Sequence, residues 1–482
     1  MADVAIVGGS VAGLATALAL GGAGHRVRVL ERAGAPPEGR PDEAARTWHR
    51  PTVPQAVHSH TMSSSAVAVL RTRLPGLLEQ LTGHGAELLD LLDALPPLVT
   101  DRAREAEDDE LVALACRRNV FELLLYRAAR ALPTVHVQHG VTVRAAEFGP
   151  APLRRTRAVV TADGARIPAD LVIDATGRRT ASRSWLEAAG VAVAPDAQVP
   201  SAMTGYSRQY RLRTAGRPGP LNRGNAVGGI WDHYAAALHP ADNGTFAVAL
   251  MVPAGDRGTA ALRRPDAFTA VARATPGLGA WLEPGTSTPL TPVNVIACPP
   301  NTLSGTATSH RQPVAGLLAV GDSVCVTNPM HGRGMALALT HAFALADLIG
   351  TGPVDHTLGE AAAELAERVH RPWYEASAAD DRQRTARWTA ALATGTAGPR
   401  EPAAPAAGPD PERIRDAMLT DGQVWRTVTR TVMGLLPPAG PLHDDKFLAR
   451  VRHAAPVDPA LLPKPPNREE LLSILASVSG DA

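Results

Sequence analysis

"DVAIVGGSVAGLATALALGGAGHRVRVLER", residues 3 to 32, decides how the rest of this chain is read. An apolar run of strand character meets a glycine turn, an Ala/Leu helical run follows, and a second short strand ends in Glu31. That order is a βαβ unit of about 30 residues, with an acid where a ribose hydroxyl is read. Gly8 permits the tight turn and Gly13 lets helix and strand pack closely. The helix start offers unpaired N–H groups and a positive dipole end to a pyrophosphate. The candidate dinucleotide residues are therefore Gly8, Gly9, Ser10, Ala12 and Gly13, with Glu31 and Arg32 at the ribose end. Ser10 stands where the fingerprint has its middle glycine, so backbone and phosphate meet with less clearance. A carboxylate at position 31 repels a 2′-phosphate, which leaves FAD and NAD both open. The bland alternative is a βαβ unit without a ligand.

A second strand-to-helix turn lies far downstream, in "GDSVCVTNPMHGRGMALAL" at residues 321 to 339. Asp322, Pro329, Gly332 and Gly334 precede Met335 and an apolar run of helical period. Between the two turns, "ADLVIDATGRRTASR" at residues 169 to 183 carries a short strand into Asp174-Ala175-Thr176-Gly177.

Composition narrows the class of partner. At about 150 residues per domain, 482 residues make two or three domains. A hydrophobic fraction of 45% and a charged fraction of 20% are ordinary for a soluble globular protein. A net charge of +1 without a basic block argues against nucleic acid and anionic membrane, and points to a small molecule. The three cysteines, Cys116, Cys298 and Cys325, form no CxxC and support neither a disulfide framework nor a structural zinc site. No basic segment precedes the first apolar stretch and no apolar run reaches the ~18 residues of a spanning helix, so the expectation is a cytoplasmic protein without signal peptide or transmembrane segment. The lysines are Lys446 and Lys464, which removes a P-loop and a lysine-based mechanism from the first 445 residues.

The three stretches together resemble the FAD-dependent monooxygenase superfamily typified by p-hydroxybenzoate hydroxylase. The resemblance implies an α/β fold: a Rossmann-like FAD-binding domain with a parallel sheet, an inserted antiparallel-sheet substrate domain and a C-terminal helical region. The corresponding boundaries are 1–75, 110–190 and 300–355 for the FAD-binding domain, and 76–109 with 191–299 for the substrate domain. The helical region is 356–482, with a Pro/Ala-rich loop at about 393–411. In this family the second stretch serves FAD and nicotinamide; here Gly177, Thr180 and Arg183 match its motif, Thr176 replaces its Asp, and Asp174 just before it is a further candidate cofactor residue. Asp322 is expected on a ribityl hydroxyl, with Pro329, Gly332, Gly334 and Met335 along the flavin ring. One long cofactor held at both ends accounts for two distant glycine turns.

"PQAVHSHTM" at 54 to 62 and "RNVFELLL" at 118 to 125 are similar to segments of the FAD epoxidases that act on polyether polyketide precursors. By that resemblance Arg118 contacts FAD and one of His58 and His60 packs near the flavin. Val57 stands where those enzymes carry Arg, so Arg46 or Arg50 is the expected substitute. Alternate residues of an extended segment face opposite ways, so His58 and His60 are not expected to share a metal, and no metal site is assigned. Tyr206, Tyr210 and Trp231 are candidates for the pocket wall, with core packing the alternative. Cys325 and His331 receive no catalytic role.

The implied reaction is transfer of one oxygen from O2, through a flavin C4a-hydroperoxide, to the alkene of a lipophilic polyketide-type substrate. NADPH or NADH supplies electrons, directly or through a partner flavin reductase. Flavin carries the chemistry, so no catalytic side chain is named. The alternatives are a hydroxylase of an aromatic or polyketide substrate, an FAD-dependent prenyl-chain reductase, and a flavin-free lipid-escort protein.

Overall fold

The structure is a computed structural model and describes residues 1–151, 154–309, 314–350, 352–394, 411–458, 460 and 462–478. The Pro/Ala-rich stretch expected at about 393–411 lies almost entirely outside the described residues.

The opening strand Asp3–Val7 is the centre of a five-stranded parallel sheet. Arg26–Glu31 and then Val135–His139 flank it on one side; Leu171–Asp174 and then Leu317–Ala319 flank it on the other. Strands buried on both faces read as continuous apolar runs, as "VAIV" and "LVI" do here. The helix Val11–Gly22 lies on this sheet and packs against the late helix Gly334–Ile349, with Leu14, Ala17, Leu339 and Ala342 in one buried core.

The second layer system is antiparallel. Val227–Ile230, Ala235–Pro240, Thr245–Pro253, Met203–Leu212 and Ser287–Pro289 pair in that spatial order, and Asn294–Ala297 also pairs with Met203–Leu212. Its core gathers Phe246, Phe268, Trp281 and Tyr234, with Tyr210 stacked on Phe246 at 5.2 Å between ring centroids. The expected mixed α/β architecture is thus present.

The segment assigned to the substrate domain at 76–109 opens in the α-helix Pro75–Gly83, whose Leu77 and Leu81 pack into the core under the parallel sheet. The following chain forms a hairpin of Glu87–Asp90 with Val112–Ala115, whose Leu89 and Ala113 join the antiparallel-sheet core. Such four-residue apolar runs carry too little periodicity to separate strand from helix. The expected C-terminal helical region is present, and its Trp425, Met433, Leu471 and Leu475 complete the same antiparallel-sheet core.

The two sheet systems are tied by buried charge. Arg117, at the cap of the helix Arg118–Arg130, meets the fully buried Asp242 of the antiparallel domain at 2.6 Å and also pairs with Asp42. Both carboxylates offset the desolvation of the guanidinium, without which a buried Arg would be strongly unfavourable.

Candidate active site

The first turn is as tight as its glycines imply. A Cβ on Gly13 would fall 1.9 Å from the Gly8 carbonyl oxygen, and one on Gly8, whose φ is +112°, would fall 2.3 Å from the Ala175 carbonyl oxygen. Glu31 takes a different part from the one expected. It is 7% exposed, and its two oxygens accept the amides of Gly9 at 2.6 Å and Ala33 at 2.7 Å. In this structure it fastens the turn to the second strand. Arg32 is exposed and lies apart from the residues that line the central cavity described below.

Asp174 requires a correction. It is fully buried and accepts from the Thr176 amide at 2.9 Å, the Thr176 hydroxyl at 2.6 Å, the Thr180 hydroxyl at 2.6 Å and the Ser182 amide at 2.7 Å. Its carboxylate therefore organises the turn from inside and presents nothing to a ligand, because its lone pairs are taken. Gly177 and the Thr176 that replaces the motif Asp do reach the cavity. Arg183 points elsewhere, onto Asp196 at 2.6 Å.

The late turn closes on the early one. Gly321, in the left-handed region, lies so near the first helix that a Cβ would meet Ala12 Cβ at 2.5 Å. Asp322 faces the cavity, and burial raises its carboxyl pKa against the opposing charges of Arg118 and Arg178. The loop after it is shaped by a buried polar cluster that no motif announced. Asn328, fully buried, donates its backbone amide to Asn301 Oδ1 at 2.8 Å and its Nδ2 to Asp381 at 2.7 Å, and Asp381 also pairs with Arg384 at 2.8 Å. Gly332 then adopts a left-handed conformation with φ of +66°, and the helix Gly334–Ile349 begins with open space at Gly334.

These pieces converge on one cavity with about 2160 Å³ of empty space, its open mouth included. Ser10, Ala12, Arg118, Gly177, Asp322, Pro329, Gly332, Gly334 and Met335 line one side. Gly8, Gly9, Gly13, Glu31, Arg32 and Asp174 stand behind it. Arg118 donates to Ser10 Oγ at 3.3 Å and lies 3.4 Å from the buried Glu122. The opposite wall belongs to the antiparallel sheet and is largely apolar, with Ile230, Ala236, Met251 and Ile296.

Other expectations on this wall are corrected. His58 and His60 both line the cavity, because the chain turns between them: His60 Nδ1 contacts the His58 carbonyl at 3.0 Å, so the alternation of a regular strand does not apply. Burial without a carboxylate lowers the pKa of His58 to about 4 and that of His60 to about 3. Arg50 does not substitute at Val57; it is buried and pairs with Glu122 at 2.7 Å, and Arg46 is exposed away from the cavity. Tyr206 lines the cavity, whereas Tyr210 belongs to the core and Trp231 packs on Tyr234. Cys325 is buried outside the cavity lining, whereas His331 faces into the cavity. The sequence reading missed Arg178, Arg223, Asn225, His239 and Arg333, all on the wall. They sit in loops and strands without a motif to mark them.

No protein-family model matches the sequence, and no curated protein matches it either. The fold is that of FAD-dependent monooxygenases. PqsL of Pseudomonas aeruginosa, described as a probable FAD-dependent monooxygenase, shares it at 18% identity and a TM-score of 0.57, over 81% of this chain and 99% of that one. HpxO of Klebsiella pneumoniae, solved with FAD, shares it at 14% identity and a TM-score of 0.52, over 90% and 94%. So does PyrE3, a Diels-Alderase of pyrroindomycin biosynthesis, at 18% identity and a TM-score of 0.55, over 89% and 80%. Among the described residues no helix is long and apolar enough to cross a membrane.

Proposed function

We propose that this chain is an FAD-dependent monooxygenase that epoxidises an alkene of a lipophilic, polyketide-type substrate. The observation that carries the reading is the meeting of Ser10 and Ala12, Asp322 and the start of the helix Gly334–Ile349 on one wall of a cavity whose other wall is apolar. The residues fit FAD: Asp322 faces the cavity with no hydrogen-bonding partner for its carboxylate among the described residues, and two helix N-termini open on the same space. When bound, FAD supplies the activation of O2, so that one oxygen atom passes to the alkene and the other leaves as water with two electrons from NADPH or NADH.

The chain's own part is to bind, orient and exclude water. Ser10, Ala12 and Arg118 hold the phosphate end, Asp322 accepts a hydroxyl of the ribityl chain, and the loop from Pro329 to Met335 holds the ring. The dipole of the helix after Gly334 favours negative charge at its start, which suits a reduced, anionic ring. Ile230, Met251 and Ile296 take the hydrocarbon of the substrate and keep water from it.

Epoxidation is preferred to hydroxylation of a phenol on chemical grounds. A phenol of pKa ~10 gains reactivity from a base, and the cavity histidines are poor ones. His58 and His60 have pKa values of about 4 and 3, and His239 is held at about 3. An alkene needs no proton removed. Electrons arrive from nicotinamide directly or through a flavin reductase, and the chain acts in the cytoplasm.

The test is anaerobic reduction of the FAD-loaded protein by NADPH or NADH, followed by isotopically labelled O2 and a polyene substrate. A product carrying one labelled oxygen supports the reading. Flavin that bleaches only with a chemical reductant and then oxygenates assigns reduction to a partner protein. Reduced flavin that saturates the alkene without O2 replaces the proposal with a reductase.

A further inference from the structure

The cations of the cavity are not all answered by the protein. Arg118 has Glu122; Arg333 lies over the Trp373 ring at 4.8 Å with Asp380 acting on it; Arg118 and Arg178 both act on Asp322, the one carboxylate among the residues on the cavity wall. Arg223 differs. Among the described residues its guanidinium has no ion-pair or hydrogen-bonding partner, and desolvation lowers its pKa with no carboxylate opposing. Arg223 is exposed and lines the cavity, so its charge is free to meet an anion that enters from outside the chain.

The loop that carries it is built firmly. The Arg223 amide donates to the Ala226 carbonyl at 3.0 Å and the Gly224 amide to the Leu221 carbonyl at 3.0 Å. Gly224 is left-handed, with φ of +76°, and sits so close to Leu91 that a Cβ would fall 2.7 Å from its Cδ2. Asn222 Oδ1 accepts the Gly228 amide at 3.0 Å. The backbone is therefore fixed where Arg223 joins the cavity wall.

Two neighbours add donors. Asn225, 5% exposed and on the cavity wall, lies 3.4 Å from the Thr61 hydroxyl, and its other amide atom is buried without a partner. Turned over, the amide keeps Thr61 as a donor to Oδ1 and frees Nδ2 to donate. His239 Nδ1 lies 2.7 Å from Ser59 Oγ, whose other acceptor, the Ala247 carbonyl, is 3.5 Å away. In the tautomer in which Ser59 donates to Nδ1, the neutral ring carries its proton on Nε2 and offers it as a donor. Arg223, His239 and His331 line the same cavity. Thr61 adjoins Gly332, so the cluster lies beside the loop assigned to the flavin ring.

We propose that Arg223, Asn225 and His239 form a receiving site for a carboxylate on the substrate, which makes the substrate a lipophilic, unsaturated acid. This rests on the cavity being the oxygenation chamber. One guanidinium matches one carboxylate in charge and in its two-pronged geometry, whereas a phosphate monoester near −2 charge would call for a second free cation. A carboxylate is also ionised before it enters, which suits a cluster whose histidines cannot take a proton from it.

The experiment is calorimetric titration of the protein, with and without FAD, by farnesoic acid, its methyl ester and farnesyl phosphate. The acid is expected to bind about tenfold or more tighter than the ester, as for a charge-assisted hydrogen bond. Arg223→Met is expected to erase that preference while keeping its FAD, and Arg223→Lys to retain part of it. Equal binding of acid and ester, absence of binding by both, preference for the phosphate, or a preference that survives Arg223→Met overturns the proposal. A protein that prefers the acid yet transfers no oxygen keeps this site and loses the oxygenation reading instead.

Discussion

The Ser323 hydroxyl lies 3.2 Å from Asp174 Oδ1, joining two strand ends that are 149 residues apart in sequence. The same hydroxyl accepts the Gly177 amide at 2.9 Å, so the second and third glycine turns share one hydrogen-bonded seam. Asp174→Ala would leave the amides of Thr176 and Ser182 buried without an acceptor, at ~1–3 kcal/mol each. The expected result is a loss of about 3 kcal/mol or more in urea unfolding. A loss below about 1 kcal/mol would show that water replaces the carboxylate and that the seam is not held by it.

Gly13→Ala tests the closeness of the first turn. With a Cβ 1.9 Å from a backbone oxygen, the neighbour cannot rotate away and the helix must shift. Overpacking of this kind costs about 1–3 kcal/mol. FAD retention after gel filtration should fall with it, while Gly22→Ala, which meets open space, should keep full FAD content.

Asp322→Asn separates cofactor affinity from stability. The charged acceptor is desolvated, so its neutralisation should leave the apo melting temperature unchanged or higher. FAD affinity, read by fluorescence titration, should weaken by about tenfold or more if the carboxylate accepts a ribityl hydroxyl. Unchanged affinity would remove Asp322 from the cofactor site.

His341 and His370 form an edge-to-face pair at 4.8 Å between the helices Gly334–Ile349 and His356–Thr394, each 1% exposed and without hydrogen-bonding partners among the described residues. Burial lowers the His341 pKa from 6.5 to about 4. The unfolded chain then binds more protons between those values, so stability falls as pH drops through that window and is fully present above it. From pH 7 to pH 5 the His341 contribution is a loss of about 2 kcal/mol. His341→Leu should flatten this part of the acid limb; an equally steep limb in the variant would place the proton uptake elsewhere.

How much could be read before the fold was known differed by site. The turn at Gly8 to Gly13 is local, since strand, turn and helix are adjacent in sequence and each glycine answers a neighbour a few residues away. Asp322 and Gly334 were named from the family resemblance, and both line the cavity. Arg223 was not, because a lone arginine in a Gly/Asn loop looks like any solvated one; only the absence of a partner, a tertiary fact, marks it. Asp174 misled in the opposite sense, since a place at a strand end beside a motif does not say which way its carboxylate turns. His58 and His60 misled because a period-2 argument needs a regular strand, and the chain bends there.

The contact of Gly321 with Ala12 sets an order on synthesis. The first turn leaves the ribosome early, but its late partner follows only after the entire antiparallel sheet has been made. At ~5–20 residues per second that interval is roughly 15–60 s. Through it, the nascent opening helix lacks the buried face of Leu339 and Ala342, and the phosphate-binding turn is half a site. A cofactor that needs both turns is thus captured late in the life of each chain, once residue 334 has emerged.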